Sequence, residues 1–217
     1  MKVMKSERLE ELRKQERVLA RLIKNWYYND EFRFVVIYGT GGVGKSSYAI
    51  QSLKQVDKNY RECIVFKPSE FIDKIRWLRE HNKRIPALIW DDIGVWMYNL
   101  DFNDPFVKSA VKFFNVARTV VGAIIGTTIS LRMLVSNLRA MDMLTIKCVY
   151  KRDDKSVSLA KGYVSSMQAN LMRLVKLTFE DLYPRFMEDD DYEWYRDVRK
   201  RYADEALAKM LESITKA

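Results

Sequence analysis

Apolar residues recur along this chain with two different periods, and the places where the period changes mark out its elements. Over residues 3–28, Leu9, Leu12, Leu19, Ile23 and Trp26 share one side of a helical wheel while Arg, Lys and Glu fill the other, which predicts a single amphipathic helix. Glu16 interrupts that stripe and argues for a helix docked on the core or on a partner rather than a coiled coil. Next, FRFVVIYG (residues 32–39) is a β-rich run that feeds a glycine-rich turn, and a helical stretch follows over residues 45–56. ECIVFK (62–67) reads as a second strand. Pro68 and Ser69 open a helix to about residue 82, with Phe71, Ile72, Ile75 and Leu78 inward.

Pro86 introduces ALIWDDIG, a third strand. Asp104 and Pro105 start a helix in which Phe106, Val107, Ala110, Phe113 and Ala117 share a face. AIIGTT (123–128) is the fourth strand, and a short helix is expected over residues 131–141. Strands alternating with helices predict an α/β fold of three layers, a mostly parallel sheet covered by helices, with right-handed crossovers. Beyond it the pattern changes: LTIKCVY and SVSLAKGYVSS flank the polar turn at 151–155, as in a β-hairpin. From about residue 178 the tail reads as helical and charged, acidic at 188–191 and basic at 196–201. The expected organisation is an N-terminal helix (1–30), a core (31–150) and an appendage of hairpin and helices (151–217).

Composition narrows the class. A chain of 217 residues, 48% hydrophobic and 31% charged, suits one α/β domain with a small appendage. No apolar run reaches the roughly 18–20 residues that span a bilayer; the longest, residues 119–129, carries two glycines and reads as a strand. The first fifteen residues lack the apolar centre and cleavage site of a secretory signal, so a cytoplasmic protein without membrane association is expected. Cys63 and Cys148 lie in β-like stretches and read as buried thiols, and the one histidine, His81, leaves little material for metal or triad chemistry. A net charge of +9 raises the expectation of a polyanionic partner, DNA above all.

The chemistry is concentrated in a few short segments. Gly39, Thr40, Gly41, Gly42, Val43, Gly44, Lys45 and Ser46 fit G-x-x-x-x-G-K-[ST] between a strand and a helix, the context this phosphate-binding loop requires. Its glycines let successive N–H groups turn toward phosphate oxygens, helped by the helix end that runs through Ser47. Lys45 would bridge the β- and γ-phosphates, and Ser46 would offer its hydroxyl to Mg²⁺. ALIWDD places two carboxylates where a buried strand can carry them, at its end. In the Walker B pattern that this strand end resembles, the first acid coordinates Mg²⁺ and the second polarises the attacking water, which makes Asp91 the candidate Mg²⁺ partner and Asp92 the candidate base. Gly126-Thr127-Thr128 ends the next strand and resembles the place where P-loop proteins with an inserted strand carry a polar residue on that water or the γ-phosphate; Thr128, or Thr127, would serve. For the cation that hydrolysis needs near the γ-phosphate, the helix after the threonine strand resembles the place where ring-forming ATPases commonly carry it, which makes Arg139 the first candidate, with Arg118 and Arg132 as alternatives.

With GTGGVGKS, a strand closing on Asp-Asp-Ile-Gly and a threonine strand, residues 32–150 resemble the AAA+ and related P-loop ATPases that insert a strand between the two motifs. The resemblance is to the small helicase-loader and transposition-helper type (DnaC and IstB), of the kind viruses and plasmids carry. It implies ATP and Mg²⁺ as cofactors, hydrolysis by an oligomeric motor or loader acting on DNA, and a helicase, replication or capsid protein as partner. After residue 150 the resemblance ends, because a hairpin stands where that family has a helical lid. A DNA-packaging ATPase of viral or plasmid type, an ATP-binding switch with weak hydrolysis, and a nucleoside or shikimate-type kinase are the other readings. ParA-type, transporter, GTPase and NB-ARC signatures are incomplete or missing.

Overall fold

The computed structural model describes residues 2–167 and 173–215. In chain order the elements are α1 (Lys2–Lys14), α2 (Val18–Tyr28), β1 (Arg33–Tyr38), α3 (Lys45–Lys54), β2 (Ile64–Val65), α4 (Pro68–Glu80), β3 (Ile85–Trp90), α5 (Ile93–Trp96), α6 (Pro105–Phe114), β4 (Val121–Thr128), α7 (Ser136–Arg139), β5 (Met143–Lys151), β6 (Asp154–Met167), β7 (Arg173–Pro184) and α8 (Asp189–Thr215). Two compact units divide the chain, Met1–Arg185 and Phe186–Ala217.

The first unit is built on one seven-stranded sheet in the order β2-β3-β4-β1-β5-β6-β7. The first five of these strands run parallel, and β6 and β7 continue the sheet antiparallel. The fold is therefore mixed α/β with a mostly parallel sheet, as the alternating pattern predicts. The strand interposed between β1 and β3 is β4, and all eight of its residues are buried, which suits a central parallel strand covered on both faces. Side chains alternate across it. Phe34, Val36, Leu88, Trp90 and Ile124 form one cluster with Phe71, Ile75 and Leu78 of α4 and Val107, Ala110 and Phe114 of α6. The intervening Val35, Ile37, Ala87, Ile89 and Ile125 are equally buried, and α2 and α3 pack on the sheet through Leu19, Ile23, Ala49 and Leu53.

Several elements depart from the periodicity. The N-terminal helix is two helices, broken at residues 15–17, because Arg17 is fully buried and its guanidinium needs partners that a continuous helix would not leave within reach. That guanidinium donates to Leu12 O and to Leu182 O (2.6 Å) and pairs with Asp181 Oδ1 at 3.4 Å. Asp181 Oδ2 accepts from the Val18 N–H (2.8 Å) and from the Tyr48 hydroxyl (3.0 Å), so it supplies the cap that α2 lacks from its own residues. Glu16 sits outside on Lys24 and Arg21. Ile72, expected inward, is 41% exposed. The second strand shrinks to two residues behind a 3-10 turn over Tyr60–Cys63, and residues 131–141 form a 3-10 turn and a single turn of α-helix.

The largest correction concerns residues 178–184, expected as the start of a helical tail. They belong to β7, which pairs with β6 along its length. The alternation is hidden from hydropathy because an inward position, 181, carries an aspartate held by Arg17, Val18 and Tyr48. The boundary expected at residue 150 is also absent from the sheet, since β6 pairs directly with β5 across the anticipated turn. The second unit is α8, whose first turn carries Asp189, Asp190 and Asp191, acids that favour the positive end of a helix. Among the described residues no helix is long and apolar enough to cross a membrane.

Candidate functional site

β1 delivers the chain into the glycine loop and α3 takes it out, starting at Lys45. Two glycines are imposed by space and conformation. A Cβ at Gly39 would stand 2.5 Å from Cys148 O of the adjacent β5, and Gly44 combines φ 87° with a Cβ position 2.8 Å from Arg185 O. Lys45 is nearly buried, and its Nζ donates to Gly39 O and Thr40 O at 3.1 Å each, folding the ammonium back over the loop. α3 begins at Lys45 directly after the loop, and the start of a helix is where backbone N–H groups favour phosphate.

Ser46, the next residue, donates its hydroxyl to Asp91 Oδ1 at 2.7 Å. Asp91 is 1% exposed, and the Thr127 hydroxyl donates to that same oxygen at 2.6 Å. Thr127 Oγ1 in turn accepts from the Asp92 N–H at 2.8 Å. Register explains this. β3 and β4 pair Ile89 with Ile125 and Trp90 with Gly126, so Asp91 and Thr127 follow as neighbours on one face, beside the start of α3. Thr128 falls on the opposite face, where its hydroxyl donates to Ser130 O at 3.3 Å and lies 3.9 Å from Met133 Sδ. Asp92 takes the left-handed conformation (φ 53°) that turns the chain from β3 into α5.

The structure thus gathers Lys45, Ser46, Asp91, Asp92 and Thr127, while the hydroxyl of Thr128 faces away. Ser47 is turned aside, its hydroxyl 3.5 Å from Pro184 O and accepting from Gln51. Arg139 ends α7 half-buried, with an Nε that is enclosed and unpaired. Arg132 is exposed on the turn before α7. Arg118 precedes β4 and so lies at the end of that strand away from the loop. The donor set suits Mg²⁺: a hydroxyl and a carboxylate oxygen side by side at the loop, both hard oxygen ligands that leave further positions to phosphate and water.

Four residues outside every motif bond to carbonyls of the loop. Tyr150 donates to Gly41 O (3.1 Å), Arg185 Nε to Gly42 O (2.7 Å), and the Ser158 and Tyr183 hydroxyls to Val43 O (2.9 and 3.2 Å). Burial pushes the Tyr183 phenol well above its ordinary range and the Cys148 thiol up to about 11, the latter against the Tyr183 hydrogen bond and the Lys45 charge. Burial likewise raises Cys63 to about 12, so both cysteines are protonated buried thiols, as their β-like surroundings predict.

No family model matches the chain. It is 25% identical over 220 residues to the uncharacterized protein B-251 of Sulfolobus spindle-shape virus 1, an alignment that covers 89% of this chain and 84% of the viral protein. Among solved structures it is similar to a KaiC-like protein of the hyperthermophilic archaeon Pyrococcus horikoshii, at 12% identity and a TM-score of 0.39, over 68% of this chain and 89% of that one. The site itself rests on its own geometry.

Proposed function

We propose that this chain binds Mg-ATP in the loop 39–46 and hydrolyses it. The observation that carries the reading is the convergence of the Ser46 and Thr127 hydroxyls on one oxygen of the buried Asp91, at the mouth of a phosphate loop. A carboxylate excluded from water needs such donors or a cation, and this one has both hydroxyls. Bound Mg²⁺ would neutralise charge developing on the β- and γ-phosphate oxygens. Ser46 and Asp91 would hold it. Lys45 would leave the carbonyls of Gly39 and Thr40 for phosphate oxygens, which are stronger acceptors for an ammonium. Asp92, next to Asp91 and fixed through its own N–H on Thr127, would take the proton of the attacking water.

The work done with that energy is proposed as a motor or loader function on DNA by a homo-oligomer, with a helicase, replication or capsid protein as partner. A net charge of +9 supports a polyanionic partner. Arg139 would then serve a neighbouring copy as the cation near the γ-phosphate. The test is phosphate release from ATP with and without Mg²⁺ and with single- or double-stranded DNA. Mg²⁺-dependent turnover, abolished by Lys45→Ala and raised by DNA, is expected. Turnover that survives Lys45→Ala would overturn the site, and turnover indifferent to DNA would overturn the motor reading.

A further inference from the structure

A phosphate loop receives its ligand through backbone N–H groups, and the planarity of the peptide bond makes each of them the mirror of a carbonyl. Fixing the carbonyl of one residue outward fixes the N–H of the next inward. In GTGGVG this matters, because glycines sample more backbone states than any other residue and lose more entropy on being ordered. Here five successive loop carbonyls, 39–43, accept side-chain hydrogen bonds: the first two from Lys45, the other three from Tyr150, Arg185, and the Ser158–Tyr183 pair. Ser158 and Tyr183 are buried and belong to the packing of the sheet. Tyr150 and Arg185 reach the loop from its open side: Tyr150 is 40% exposed and Arg185 is only partly covered. The Arg185 guanidinium lies 5.0 Å from the centre of the Tyr150 ring and also donates to Lys155 O just beyond the β5–β6 turn.

We propose that Tyr150 and Arg185 are positioning residues for nucleotide binding: they hold the carbonyls of Gly41 and Gly42 outward, so that the N–H groups of Gly42 and Val43 are set for phosphate. The proposal rests on the Mg-ATP reading of the loop. The Val43 N–H now spans 3.4 Å to Thr40 O, a long contact that a phosphate oxygen would replace. Both side chains act on carbonyls of the loop. Their effect therefore falls on the affinity for any nucleotide with a β-phosphate, ADP included, and not on the chemical step.

The measurement is the Kd of Mg-ADP for wild type, Arg185→Ala, Arg185→Lys and Tyr150→Phe, together with the KM and kcat of Mg-ATP and the apo melting temperature. Arg185→Ala is expected to weaken Mg-ADP about tenfold, the size of one charge-assisted hydrogen bond partly shared with solvent. Tyr150→Phe should weaken it about threefold, and Arg185→Lys should recover part of the alanine loss. KM should rise in step while kcat stays within about twofold, with the apo melting temperature unchanged. Wild-type Mg-ADP affinity in both Arg185→Ala and Tyr150→Phe overturns the proposal, and so does a loss confined to kcat, which would put Arg185 on the reacting phosphate. Should Arg185→Ala fail to fold, Tyr150→Phe, which removes one hydroxyl from a part-exposed ring, decides alone. A wild type that binds no Mg-ADP overturns the nucleotide reading itself. Binding that is lost in Lys45→Ala but kept in the two brace variants overturns the brace and leaves that reading standing.

Discussion

The inner and outer sides of the phosphate loop come from different halves of the sheet. Lys45, Ser46, Asp91 and Thr127, on the inner side, lie at the C-terminal ends of parallel strands or at the helix start that follows β1. Tyr150, Ser158, Tyr183 and Arg185, on the outer side, come from β5 and from the antiparallel β6 and β7, more than a hundred residues along the chain. Ser46 and Thr127 meet on a single oxygen of Asp91, and Lys45 donates to the carbonyls of Gly39 and Thr40. The outer groups bond to main chain, in strands that also carry Asp181 and through it the starts of α2 and α3. The contrast separates two tasks. On the proposed reading, charge and proton handling fall to a compact, motif-borne cluster, whereas the shape of the loop depends on how a distant part of the sheet is anchored.

The sharpest way to break that division is to remove the carboxylate on the inner side. Asp91→Asn keeps the shape of the side chain but discards the charge, and the hydroxyls of Ser46 and Thr127 no longer meet an anionic acceptor. ATP turnover is expected to fall about a thousandfold, roughly 4 kcal/mol of transition-state stabilisation, with the protein still folded. The comparison to make is with Arg185→Ala, where affinity and not kcat should move. If Asp91→Asn retains turnover within tenfold of wild type, the inner cluster is not the chemical side.

The second test goes to the anchor. Asp181→Ala would leave the fully buried Arg17 guanidinium without its carboxylate, and the Val18 N–H and Tyr48 hydroxyl without their acceptor. Breaking a buried pair from one side costs about 3–5 kcal/mol, which a urea titration of this unit would read directly. Asp181→Asn, which keeps an accepting oxygen, should cost less. A loss below about 1 kcal/mol in the alanine variant would mean that β7 is not tied to α2 and α3 as the geometry indicates.

How much of this was legible beforehand follows the same divide. The glycine loop between a strand and a helix, the third strand and the mostly parallel sheet read directly, because each strand is a short apolar run punctuated by Pro or Gly and each helix has its own stripe. The break at Arg17 and the strand at 173–184 did not, since both are set by a polar pair, Arg17 and Asp181, separated by 164 positions. An arginine in a helical stripe and an aspartate in a strand each read as exposed on hydropathy, and only their pairing makes them interior residues. Tyr150, Ser158, Tyr183 and Arg185 were illegible for a related reason. They act on main-chain oxygens, which accept from any donor, so no spacing of residue types marks them.

The threonine pair shows how a correct strand can still leave its chemistry undecided. Both Thr127 and Thr128 end the strand next to Asp91, and a one-residue difference in register exchanges the two faces of a sheet. Pairing Trp90 with Gly126 puts Thr127 on Asp91 and sends Thr128 toward Ser130 and Met133. Valine is close in shape to threonine and removes only the hydroxyl, so the two substitutions isolate the two roles. Thr127→Val deprives Asp91 of one donor and the Asp92 N–H of its acceptor, which loosens the left-handed turn that aims Asp92; kcat/KM should fall about tenfold. Thr128→Val should stay within about twofold, because its hydroxyl makes only a long bond to Ser130 O and a weak contact with sulfur. Both are measured as steady-state ATP hydrolysis at saturating Mg²⁺. The reverse order would place Thr128 on the nucleotide and would require β4 to slide by one residue against β3 when the site fills, carrying Gly126 off the Ile93 side chain that now packs on it.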